Sequence, residues 1–264
     1  MKLTKPERKA MDNALKRLNA GDLSDREALY RDIKPYATTD IGAGGAFFTP
    51  WDLAGDFQIE TLNWHRKEPK RVLDLCAGYG ILSYRQWERW GNETRPAVTC
   101  VEINEEYAAI GRQIFPEAEW IVADVFDVPE ILKGRQFEEF YSNPPFMPVP
   151  KGRRKQHPTA PSVPHAVAEI GMRLCTNGGT MILPRGATNW EYSGRQSYTN
   201  TQNARYESWS RETGLTLAAN CGIDCTYYDG FDMTNIVVEI ALVQDREPEP
   251  AAPATKAAPA GLLF

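Results

Sequence analysis

RVLDLCAGYG, residues 71 to 80, decides the architecture. A short apolar run ends at Cys76 in a turn that carries Gly78 and Gly80, and the following ILSYRQWERW (81–90) has helical texture. The same unit repeats on its C-terminal side. PAVTCVEI (96–103) reads as a second strand, NEEYAAIGRQIF (104–115) as a helix, EWIVAD (119–124) as a third strand and FEEFYSNPP (137–145) as a fourth. HAVAEIGMRLCTNGG (165–179) and TMILP (180–184) add a helix and a fifth strand. Alternating strands and helices imply right-handed βαβ units and a mostly parallel sheet, with ligands in the crevice at the carboxyl ends of its strands. Two further apolar runs, CTYYDGFD (225–232) and NIVVEIALV (235–243), are close enough to pair as an antiparallel hairpin at a sheet edge.

Outside this core the texture differs. KPERKAMDNALKRLNA (5–20) has helical spacing, Ser24 is a candidate cap for a second short helix, and Gly42, Gly44 and Gly45 break the pattern. After Gln244 the chain turns to Pro, Ala and charge, which reads as a disordered tail. The expected organisation is a helical extension over 1–45, a doubly wound α/β domain over 46–244 and a tail over 245–264.

The 264 residues carry 30 Lys and Arg against 35 Asp and Glu, a net charge of −5. A mildly acidic chain is unsuited to strong sequence-independent nucleic-acid binding, so any polyanion must meet a local basic patch. The amino terminus lacks the apolar stretch of a signal peptide, and no run reaches the ~18 apolar residues of a membrane span, so a cytoplasmic protein is expected. The 5 cysteines form no CxxC pair. Cys221 and Cys225 stand as two neighbouring zinc ligands would, but no second pair or nearby His completes four ligands, and metal is not expected.

Glu102 ends the second strand 24 residues past Gly78, where a carboxylate can accept from ribose hydroxyls. Asp124 ends the third and can accept from an adenine amino group, with Ile103 and Phe126 available to flank the ring. The glycines lack the GxGxxG spacing typical of NAD sites. VLDLCAGYG (72–80), VEIN (101–104) and ADVFD (123–127) resemble the motifs of class I S-adenosylmethionine-dependent methyltransferases. That resemblance implies a Rossmann-like, doubly wound seven-stranded sheet over roughly Arg71 to Val243. It also implies S-adenosylmethionine as cofactor, with Asp74, Gly78 and Gly80 around its methionine portion, Glu102 on the ribose and Asp124 on the adenine, and Cys76 and Ala77 of the same turn among the cofactor-binding residues.

The fourth strand runs into Asn143, Pro144, Pro145 and Phe146. Two prolines fix φ and remove two donors, leaving a stiff ledge rich in acceptors. Asn143 Oδ1 and the Pro144 carbonyl can accept both N–H bonds of an exocyclic amine and hold its nitrogen in line with an activated methyl, while Phe146 stacks on a planar substrate. The tetrapeptide resembles the [DNS]PP[YFW] signature of amino-group methyltransferases acting on adenine in DNA, purines in RNA or glutamine in proteins. GGAFFTPWDLA (44–54) resembles the F-[YF]-T-P segment of adenine-specific DNA methyltransferases, which contacts the methionine end of the cofactor; Phe48, Thr49 and Pro50 match it. Thr49 before Pro50 also has the form of an ordinary helix start, with Thr as cap and Pro at the first helical position.

The reading is therefore an N6-adenine DNA methyltransferase. Its rivals are an RNA-base or protein-glutamine methyltransferase and a non-catalytic nucleic-acid-binding relative of the fold. A stacked base must be flipped out of duplex DNA to react. Lys151, Arg153, Arg154 and Lys155, directly after the ledge, are the expected phosphate grip. Arg185, Asn189, Trp190, Tyr192, Arg195 and Gln196 offer base-edge and stacking contacts. The final AGLLF resembles the Q-L-x-L-F peptides that dock on sliding clamps, matching at Leu263 and Phe264 but lacking the Gln and first Leu, so Gly261–Phe264 is a candidate clamp contact.

Overall fold

The five apolar runs from Arg71 to Pro184 form five parallel strands: β1 (Arg71–Leu75), β2 (Ala97–Glu102), β3 (Glu119–Val122), β4 (Glu139–Ser142) and β5 (Gly179–Pro184). The computed structural model describes residues 4–33, 48–64, 69–90, 92–192, 198–200, 202–224 and 237–246. β8 (Leu215–Asp224) and β9 (Val237–Asp245) complete a seven-stranded sheet of order β3-β2-β1-β4-β5-β9-β8. β9 is antiparallel to both neighbours. A separate two-stranded ribbon joins β6 (Trp190–Tyr192) and β7 (Tyr198–Asn200).

An antiparallel pair closes the sheet at one edge, as expected of the C-terminal runs, with β9 next to β5 and β8 outermost. Its first strand is 215–224; residues 225–236, which include the CTYYDGFD run, lie outside the described residues. LTLAANCGID has too weak an alternation to announce a strand, and it acquires one by pairing with β9.

Helices cover both faces. α3 (Trp51–Trp64), α4 (Ile81–Glu88) and α5 (Glu105–Ile114) lie on one, where Phe57, Leu82 and Ile114 share an apolar cluster with Val72, Tyr141 and Ile240 of the sheet. α1 (Lys5–Asn19) and α2 (Arg26–Asp32) join this cluster through Ala14, Leu18, Leu29 and Tyr30, so the N-terminal helices pack into the core of the sheet domain. Thr4 and Glu7 form a reciprocal capping box on α1. α2 is capped by Asp25, which accepts from the Ala28 amide at 3.0 Å; Ser24, the expected cap, instead donates to Asp22. The short α6 (Val128–Ile131), α7 (Val163–Leu174) and α8 (Ala204–Thr213) cover the opposite face.

On that second face Phe140 is fully buried between two glycines. A Cβ on Gly171 of α7 would lie 2.5 Å from its ring, and one on Gly179 of β5 2.4 Å. Close approach of α7 to β4 therefore requires glycine. Gly171→Ala should lower unfolding free energy by about 1–3 kcal/mol through overpacking, read as a lower urea midpoint at unchanged slope. An unchanged midpoint would show that Phe140 has room to move.

Candidate active site

The order of the sheet reverses between β1 and β4, and a cleft of about 380 Å3 opens there at the carboxyl ends of β1 to β4. The β1–α4 turn makes its floor. Cys76, Gly78 and Gly80 all have positive φ (62°, 58° and 81°), and the turn is held by Ala77 N donating to Val101 O at 2.9 Å and Gly80 N to Ala77 O at 2.7 Å. It is wedged between aromatic rings: a Cβ on Gly78 would stand 3.1 Å from Phe48, and one on Gly80 3.0 Å from Trp120. Burial, with Glu102 and Asp74 nearby, pushes the Cys76 thiol well above its usual range, so it is a neutral wall group and a poor nucleophile.

Glu102 is held at the tip of β2 by amides: Gly78 N donates to Oε2 at 2.8 Å and Asn104 N to Oε1 at 2.9 Å. Burial raises its pKa, and the Asn104 and Gly78 amides oppose the rise. Asp124, just past β3, accepts from Phe126 N at 3.1 Å and from Arg153 Nη2 at 2.9 Å. The same guanidinium grips Asp127 at 2.6 and 2.8 Å, which lowers the Asp127 pKa.

The fold brings Phe48, Thr49, Cys76, Ala77, Gly78, Glu102, Ile103, Asp124, Phe126, Asn143 and Pro145 to one cleft wall. Pro50, Asp74, Gly80, Pro144 and Phe146 stand behind or beside it; Phe146 is half-buried against the apolar cluster of the α3–α5 face. Among the lining residues that escape sequence reasoning are two aromatic ones. Tyr79 and Tyr107 meet edge to face at 5.5 Å, and Phe48 lies 4.7 Å and 4.9 Å from them, a three-ring wall over the glycine turn. Tyr79 sits between the glycines, which hinted at it; nothing in the sequence marked Tyr107. Among the described residues, no Lys or Arg lines the cleft. A wall that is carboxylate and aromatic favours hydroxyl and amine donors or a cation, and disfavours a pyrophosphate.

Asp74 lies beneath the turn, 1% exposed, and neither carboxylate oxygen has a hydrogen-bond donor. Burial pushes its pKa up to about 7; Glu102 adds to the rise, while the Ser83 hydroxyl and amide approach closely enough to oppose it without bonding geometry. A carboxyl raised on folding holds its proton longer in the native than in the unfolded state. Its contribution to stability is therefore intact below the unfolded value near 4 and is lost as pH rises through about 7. Asp74→Asn should flatten the stability curve between those limits, measured by urea titration at several pH values. A slope identical to that of the parent would mean Asp74 ionises freely.

The ledge follows β4 directly, and Asn143 Nδ2 donates to Thr49 Oγ1 at 3.0 Å. Thr49 is not the cap of α3: the helix begins at Trp51 and the Pro50 carbonyl accepts its first bond, from Ala54 N at 2.9 Å. The cap reading of the Thr-Pro pair is thus replaced by a tertiary bond. Beyond the ledge, Lys151, Arg154 and Lys155 are exposed, whereas Arg153 is engaged with the two aspartates. The far end of this loop is anchored by His157, whose Nδ1 lies 2.6 Å from Glu169 of α7, which also accepts from Trp209. Arg185 is exposed; Asn189 is bonded to Glu207 and Asn203. Arg195, Gln196 and Gly261–Phe264 lie outside the described residues, as do 34–47 with the first part of the GGAFFTP segment.

No protein-family model matches the chain, and no curated protein does. Solved structures do. The methyltransferase subunit of a type I restriction-modification system from Streptococcus thermophilus superposes with a TM-score of 0.61 at 17% identity, over 86% of this chain and 49% of that one. A protein from Pyrococcus horikoshii, provisionally assigned as an RNA methyltransferase, gives 0.53 at 16% identity over 80% of this chain and 92% of that one. A modification subunit of a provisionally assigned type I restriction enzyme from Vibrio vulnificus gives 0.53 at 13%, over 78% and 46%. The chain spans about half the length of the two restriction-modification subunits. Together with the seven-stranded order, these likenesses establish a class I methyltransferase fold. No described helix is long and apolar enough to cross a membrane.

Proposed function

We propose that the protein is an S-adenosylmethionine-dependent methyltransferase acting on the N6 amino group of adenine in DNA. The observation that carries this is the junction of Thr49 with Asn143: the two segments with the most specific resemblances meet through a side-chain hydrogen bond at the wall of a carboxylate-rich cleft. The residues fit the cofactor. Its nucleoside lacks phosphates, which suits a cleft with no cation among its described lining residues, and Gly78 lets the turn approach a ligand while Phe48 occupies the space a side chain would take.

When bound, S-adenosylmethionine supplies an electrophilic methyl group on a sulfonium. The chain does the rest by binding and orientation. Glu102 accepts from the ribose hydroxyls, Asp124 from the adenine amine, and Ile103 and Phe126 flank the ring. At the ledge, Asn143 Oδ1 accepts from the target amine, keeping its nitrogen pointed at the methyl as positive charge develops. Phe146 offers a ring to the target base. Lys151, Arg154, Lys155 and Arg185 hold phosphates while the base is extruded, and Arg153 anchors the loop that bears the first three.

The test is incubation of purified protein with methyl-labelled S-adenosylmethionine and duplex DNA, RNA or protein extract, followed by nucleoside and amino-acid analysis. Label in N6-methyladenine of DNA is expected. Label in 5-methylcytosine, only in RNA, or only in protein would overturn the proposal in favour of a rival substrate.

A further inference from the structure

The geometry points to Thr49 as a positioning residue that sets the orientation of the Asn143 amide. The inference rests on the reading of Asn143 given above and adds the group that makes that reading work. A primary amide has two chemically opposite ends joined by a terminal torsion with two nearly equivalent states. Presented by its oxygen, Asn143 accepts from an amine; rotated by half a turn, it aims N–H at N–H and repels the same amine. Backbone rigidity from Pro144 and Pro145 fixes where the amide sits and does nothing to choose between these states.

Thr49 chooses. Its Oγ1 accepts from Asn143 Nδ2 at 3.0 Å across 94 residues of sequence, and Thr49 is only 8% exposed. The nitrogen end is thereby turned toward the segment before α3. Pro50 explains why the hydroxyl serves this purpose: as the cap of α3 it leaves Thr49 one residue outside the helix, so no helical amide claims Oγ1. Phe48, against Gly78 and packed on Tyr79 and Tyr107, holds the segment in register with the glycine turn.

Thr49→Val keeps the shape and removes the acceptor without touching the cap of α3. It should lower kcat on the proposed amine substrate about 10- to 100-fold, with the dissociation constant for S-adenosylhomocysteine within about threefold of the parent; Thr49→Ser should restore most of the rate. A parental kcat in Thr49→Val, or a loss confined to cofactor affinity, overturns the inference. A second readout needs neither turnover nor substitution: the Asn143 side-chain NH2 protons in the parental protein should exchange slowly with solvent by NMR, and fast exchange there overturns it too. Absence of any methyl transfer by the parent would defeat the proposed function, whereas comparing Asn143 NH2 exchange between the parent and Thr49→Val would still decide the role of Thr49, faster exchange in the variant being expected and equal exchange overturning the inference.

Discussion

Asn143→Ala is expected to reduce kcat on an adenine-containing duplex by about 10²–10³-fold, the effect of deleting one preorganised polar partner of a developing charge. The lone pair of an exocyclic amine is delocalised into its ring, so the barrier lies in making the nitrogen pyramidal and aiming it. A fixed acceptor on each N–H stabilises that geometry more than the flat ground state, and its loss appears in kcat ahead of KM. Asn143 is one of many residues lining the cleft, so binding of S-adenosylhomocysteine should change by less than about fivefold. Steady-state kinetics with labelled cofactor, beside calorimetry of the product complex, separates the two. A variant with the parental kcat would remove Asn143 from the reaction centre.

Glu102→Ala is expected to weaken cofactor binding on the order of 100-fold. In the proposed binding mode the ribose loses a charged acceptor, each of whose hydrogen bonds contributes about 1.5–3 kcal/mol. The Gly78 and Asn104 amides, now bonded to Glu102, are left without their partner, which loosens the glycine turn as well. About 3 kcal/mol in all corresponds to that ratio. Glu102→Gln keeps one acceptor and should recover part of the affinity. Calorimetric titration with S-adenosylhomocysteine reads both variants; a dissociation constant within threefold of the parent would show that the ribose lies elsewhere.

β1, β2, β4 and β5 were legible because each is a buried apolar run closed by Gly, Asn or Pro, and α4, α5 and α7 have helical texture; β3, only partly buried, was marked by its short apolar run EWIV alone. Glu102 and Asp124 were legible for a related reason: the fold delivers strand ends to one crevice, so a carboxylate at a strand end is already placed. What escaped depends on distant pairing. β8 has no alternation of its own and forms against β9. Tyr107 reaches the cleft only because Asn104 caps α5 by accepting from the Glu106 and Tyr107 amides, setting the helix start beside Phe48. Arg153 had the composition of a phosphate contact, but Asp124 and Asp127 are brought to it by the turn after β3. The Thr-Pro pair had a sufficient local explanation, and that explanation gave way to a bond 94 residues away.

Arg153 has one more consequence. Met147 and Pro150 line the cleft and Arg153 is tied to Asp124 at its wall, so the segment bearing Lys151, Arg154 and Lys155 is fastened to one of the two carboxylates proposed to hold the nucleoside. Trypsin must lift that segment to cut it, and a ligand that binds only the closed arrangement makes lifting rarer. Tryptic cleavage between 151 and 156 should therefore act as a gauge of cleft occupancy, slowing with added S-adenosylhomocysteine and quickening in Arg153→Ala.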